Sequence, residues 1–84
     1  MDKHLDTKKC LSAFATILQE GEKSEKGYFL KGIWAESMDD GYTVRLFDNQ
    51  SELTLYFHNK FQLNSPDSKS TDQFIRKIYQ ISEQ

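Results

Sequence analysis

Cysteine occurs once in this chain, at Cys10, and glycine only four times in 84 residues. A single cysteine rules out an internal disulfide and any zinc site built on cysteines. Four scattered glycines make no glycine-rich phosphate loop. There is no G-x-S-x-G elbow, no HxH or HExxH, and no Cys–His pairing by motif. Basic charge is not in excess: eleven Lys and Arg stand against thirteen Asp and Glu, for a net charge of -2 and a pI near 5.6. Proteins that wrap a phosphate backbone are usually basic, so nucleic acid is not the expected partner. No apolar run approaches the roughly 20 residues that span a bilayer, so no membrane partner is expected either. The opening MDKHLDTKKC is too polar for a signal peptide or an anchor, and a reducing cytoplasm is the expected location. No carboxylate cluster accompanies His4 or His58, so neither a metal site nor a cofactor is expected.

What the chain does have is a hairpin, Tyr42–Phe57, with Asp48-Asn49-Gln50-Ser51 as its turn. With Asn49 and Gln50 as turn residues, Leu46 faces Leu53, Val44 faces Leu55 and Tyr42 faces Phe57. Side chains alternate along a strand, so these pairs share one apolar face. The reverse face carries Thr43 with Tyr56, Arg45 with Thr54, and Phe47 with Glu52.

Around the hairpin stand two amphipathic helices. From Asp6 to Glu20 the spacing puts Ile17, Cys10, Phe14, Leu18, Leu11 and Ala15 in one stripe. Asp6 or Thr7 caps its start, or Asp2 an earlier one, and Gly21 is placed to end it in a left-handed conformation. Within the stripe Cys10 reads as a small core residue, not a reactive thiol. The last helix carries Ile81, Phe74, Ile78, Ile75 and Tyr79, and Ser70-Thr71-Asp72-Gln73 has the form of a capping box at its start.

Residues 21–27, GEKSEKG, read as a charged loop, and Tyr28–Ala35 as the first strand. Asp39-Asp40-Gly41 is a turn; the adjacent acids also suit a metal or general acid, but Asp-Gly favours the turn. Two registers are open. A two-residue Asp40-Gly41 turn puts Ile33 and Ala35 over the core, pairs Trp34 with Phe47 and sets Glu36 opposite Arg45. A three-residue turn puts Trp34 opposite Leu46, with Tyr28 and Leu30 on the core face. The second is preferred, because the first buries Lys31 between Phe29 and Ile33. Beyond Phe57, residues 58–63 either continue the third strand or turn away after Lys60, and 64–69 is a loop.

The expected fold is therefore α+β: a three-stranded antiparallel meander with two helices packed on one face, in the order α-β-β-β-α. It spans residues 1–84 as one domain, with 1–5 as a polar tail. In the preferred register the reverse face shows Phe29, Ile33, Phe47 and Tyr56, rimmed by Arg45, Lys31 and Glu52. A sheet face open to water usually carries polar residues, so these side chains ask for a cover. The expectation is a protein-interaction module with no enzymatic activity. It would associate with a second copy or another protein through Phe29, Ile33, Arg45, Phe47 and Tyr56. The alternative is RNA binding, because helix–three strands–helix is also the order of double-stranded RNA-binding domains. The lysine cluster that such domains place before their last helix reads here Ser68-Lys69-Ser70-Thr71-Asp72-Gln73, a poor phosphate clamp.

At GYTVRLF…ELTLYFHNKF the chain resembles a small family of bacterial proteins of about this length whose function is not assigned. That resemblance implies a small cytoplasmic bacterial protein and carries over no catalytic residues.

Overall fold

The computed structural model describes residues 5–39, 41–56 and 60–83. Along them run α1 (Thr7–Glu20), β1 (Glu22–Ser24), β2 (Gly27–Leu30), β3 (Ile33–Ser37), β4 (Val44–Phe47), β5 (Glu52–Tyr56), β6 (Lys60–Asn64) and α2 (Ser68–Ser82). The α+β class and both helices are as expected. The sheet is not: it has six antiparallel strands where three were expected, in the order β1-β2-β3-β4-β5-β6.

The central hairpin sits in the expected register, with Val44 opposite Leu55, Arg45 opposite Thr54, Leu46 opposite Leu53 and Phe47 opposite Glu52. Its turn is held by the Asp48 carboxylate, which accepts the N–H groups of Gln50 at 2.8 Å and Ser51 at 2.7 Å. The expected pairing of Tyr42 with Phe57, and the positions of His4, Asp40 and His58, lie outside the described residues.

One of the three extra strands comes from a turn that an apolar run conceals. Tyr28–Ala35 is not one strand but two, folded back at Lys31 (φ 51°) and Gly32 (φ 91°). Two successive positive φ values make a tight hairpin turn of the kind that matches strand twist. The turn brings Leu30 opposite Ile33, so both face the core, and it leaves Lys31 exposed. The objection to the two-residue Asp40-Gly41 register thereby disappears. That is the register found: Trp34 lies opposite Phe47, Ala35 opposite Leu46 and Glu36 opposite Arg45. Trp34 does not face Leu46.

The segment 21–27 is not a loop throughout, since Glu22–Ser24 pairs with β2. Gly27 (φ 127°) is needed there, because a Cβ would lie 2.4 Å from the Ala35 carbonyl oxygen. Residues 60–63 neither continue the third strand nor leave it after Lys60: Lys60–Asn64 runs antiparallel along β5 as β6, and the expected loop 64–69 shortens to 65–67 because α2 begins at Ser68.

Asp6 caps α1, accepting the Lys9 N–H at 3.1 Å. Gly21 ends the helix in an extended conformation (φ -81°), not a left-handed one. It is needed for closeness, as a Cβ would meet the Ile17 and Phe29 carbonyl oxygens at 2.5 and 2.7 Å. The cap of α2 is Asp67, not Ser70: its carboxylate accepts the Ser70 N–H at 2.8 Å. That backbone hydrogen bond holds the Asp67 carboxyl below the usual carboxylate range.

Both helices cover one face of the sheet. Cys10, Ala13 and Ile17 of α1 and Phe74, Ile78 and Ile81 of α2 are buried with Ile33, Ala35, Leu46, Leu53 and Leu55. Full burial of one such large apolar side chain contributes about 1.5–3 kcal/mol. The stripe of α1 is turned from its expected direction: Ala13 is buried, whereas Leu11 is 47% exposed. Leu5, placed in the tail from sequence, packs on the core. The Asp6 N–H donates to the Tyr79 hydroxyl at 2.9 Å, tying the start of α1 to the last turns of α2. Among the described residues no helix is long and apolar enough to cross a membrane.

Candidate interaction surface

With both helices on one side, nothing among the described residues lies across the reverse face of the sheet. Strand pairing sets its side chains in rows. One row runs Glu22, Phe29, Trp34, Phe47, Glu52, Asn64, one residue from each strand. Its middle is aromatic and its rings pack on each other. Phe29 and Trp34 have centroids 4.5 Å apart at 47°, and Trp34 and Phe47 are stacked 5.7 Å apart at 13°.

Cations close the stack. The Lys26 ammonium stands 5.1 Å from the Trp34 ring centroid, and the Arg45 guanidinium 4.4 Å from that of Phe47. Arg45 is itself gripped from both sides across the strands, donating to Glu36 at 2.6 Å and Glu52 at 3.0 Å. These pairs are half-exposed, so each stabilises by no more than about 1 kcal/mol. Their larger effect is to pin the guanidinium over the ring. Among the described residues the buried Arg45 Nε has no hydrogen-bond partner.

The residues singled out from sequence divide. Phe29, Arg45, Phe47 and Tyr56 do lie on the reverse face, with Tyr56 42% exposed and its hydroxyl donating to Gln62 Oε1 at 3.1 Å. Ile33 does not: it is fully buried on the core face, because the Lys31-Gly32 turn inverts the side to which β3 residues point and leaves β2 as expected. The residue missed is Trp34, the centre of the row. The glycine in Leu30-Lys31-Gly32-Ile33 was the signal that would have found it.

Two grooves flank the Asp48–Ser51 turn. One, of about 290 Å³, lies between Trp34 and Lys77; the other, of about 270 Å³, lies between Phe47 and Ser65. Among the described residues no group of three or more His, Cys, Asp or Glu is placed to hold a metal ion.

A family model, described as a protein of unknown function (DUF3081), matches residues 5–84. The chain belongs to the DUF3081 family. In this DUF3081 protein the match takes in both helices and all six strands. No curated protein matches the chain, and no solved structure matches it.

Proposed function

We propose that this DUF3081 protein is a small interaction module of the bacterial cytoplasm that presents the reverse face of its sheet to another protein. The observation that carries the reading is the half-buried aromatic row Phe29-Trp34-Phe47, set in the middle of a face that no helix covers and flanked by Glu22 and Glu52. Burying such rings against a partner is a main source of binding energy at protein interfaces. Glu36 and Glu52 are already paired with Arg45, so the face offers a partner polar groups of both signs around its rings. RNA is the weaker reading for two reasons. A base needs the face of a ring, and these faces are taken by one another and by Lys26 and Arg45. With six strands between its helices, the chain also lacks the helix–three strands–helix order on which the RNA comparison rests.

The test uses the single tryptophan as a reporter. Bait protein is used to recover partners from its native cells, with and without nuclease, as wild type, Phe47→Glu, Thr54→Glu and Leu11→Glu. The expected partner survives nuclease, is lost with Phe47→Glu and Thr54→Glu, and is kept with Leu11→Glu on the helix side. Added back pure, it should shift Trp34 emission to shorter wavelength. Recovery that ignores both reverse-face charges, or that vanishes with nuclease, overturns the proposal.

A further inference from the structure

The two edges of the sheet are unlike. β1 is Glu22-Lys23-Ser24, short and fully exposed, with two charges in its three residues. Short, charged edges are the usual protection against pairing with other chains. β6 has no such protection. Its five residues, Lys60-Phe61-Gln62-Leu63-Asn64, run one-to-one along β5 without a bulge and contain no proline and one charge, at the end. Every second residue of an edge strand points its N–H and C=O away from the sheet. Among the described residues no backbone hydrogen bond reaches β6 other than those of its pairing with β5. Phe61 is 40% exposed although it continues the core-face row of Leu55, which is 4% exposed.

We infer that β6 is a self-recognition strand: two copies pair their β6 strands antiparallel about a two-fold axis at Gln62, joining two six-stranded sheets into one. The strand is its own complement in this register. Phe61 falls opposite Leu63 of the second copy, Lys60 opposite Asn64 of the second copy, and Gln62 opposite its own counterpart. On the core side the apolar rows then run unbroken from Leu53 and Leu63 to Phe61 and Leu55 of the second copy. On the reverse side Lys60 meets a neutral Asn64, with Glu52 of the second copy one strand further along the same row. The two lysines lie at opposite ends of the pair, so no like charges face one another. The Gln62 side-chain oxygen is taken by the Tyr56 hydroxyl, which leaves its NH2 to donate across the axis. A two-fold isologous contact of this kind closes on itself at two copies. It leaves Trp34 and its row uncovered and does not rest on the reading of the reverse face given above.

Sedimentation equilibrium of the full chain, over a wide concentration range, is the test, with Gln62→Lys and Gln62→Glu as variants. Gln62 is exposed and makes no core contact, so both variants should fold. The wild type should associate reversibly to a dimer, with Trp34 emission unchanged across the transition. Each variant alone, facing its own charge across the axis, should need at least tenfold higher concentration. An equimolar mixture of the two should recover the association. A wild type monomeric at every concentration overturns the inference. So does a dimer that is indifferent to both charges, whose Trp34 emission would then say whether the second copy sits on the reverse face.

Discussion

Cys10 sits in the core between the helices and the sheet, and burial pushes its thiol up to about 12, with the Asp6 carboxylate adding to the effect. A thiol so held has almost no thiolate at neutral pH. A thiol reagent at pH 8 should therefore leave the native protein unlabelled and react fully once denaturant is added; rapid native labelling would mean that the core opens. The same shift has a sign in stability. The unfolded thiol ionises near 9.0, whereas the folded one keeps its proton to about 12. Through that window the folded state binds more protons, so stability falls as pH rises, by at most about 1.4 kcal/mol per pH unit. Cys10→Ala should flatten this part of the curve of denaturant midpoint against pH, and an equal slope in both proteins would assign the loss to other groups. That Cys10 is buried was legible from its place in the helical stripe. That Ala13 would be buried in place of Leu11 was not. An angular projection finds an apolar side but not its exact direction, which depends on where α2 lies beside it.

At the scale of elements, legibility followed the turns. The β4–β5 hairpin was readable because alternation on both sides and a polar four-residue break agree on one register. The β2–β3 hairpin was not, because Lys31-Gly32 interrupts Tyr28–Ala35 without breaking its apolar character. The start of α2 was read at Ser70, but the cap lies three residues earlier at Asp67, and the serine is the residue whose N–H that carboxylate accepts. Glycine positions separate strain from crowding. Gly27 combines positive φ with backbone contact, whereas a Cβ at Gly41 (φ 81°) meets nothing within 4 Å among the described residues. Gly41→Ala should cost about 1 kcal/mol from conformation alone, and Gly27→Ala distinctly more, about 2–4 kcal/mol, because β2 must also move off β3. Urea midpoints of the two variants provide the comparison. Equal losses would mean that the Ala35 carbonyl is not what Gly27 accommodates.

For the whole molecule, one face carries the stability and the other is left for contact. Leu46 and Leu55 lie in the buried cluster beneath the helices. Leu46→Ala or Leu55→Ala should cost about 2–5 kcal/mol, a large share of the roughly 5–15 kcal/mol typical of a domain. Leu11→Ala, on the exposed side of α1, should change stability by about 0.5 kcal/mol or less. Guanidinium unfolding of the three variants measures this, and a full-strength Leu55→Ala would show that the core does not run through the central hairpin. The contact face was legible as a surplus of aromatic residues opposite the core. Its centre was not, since the placement of Trp34 and the removal of Ile33 both hang on the single turn at Lys31-Gly32.

The bond from Asp6 to Tyr79 joins α1 to α2, the first and last elements among the described residues. During synthesis each strand emerges beside the strand just made, so the meander can assemble hairpin by hairpin through local contacts. Its cover cannot. Phe74, Ile78 and Ile81 are translated only after every strand is complete, and until they arrive the core face and the stripe of α1 are half roofed. The final helix acts as a latch on the nascent chain: a copy cut short before it exposes apolar surface, the feature by which cellular quality control recognises unfinished proteins.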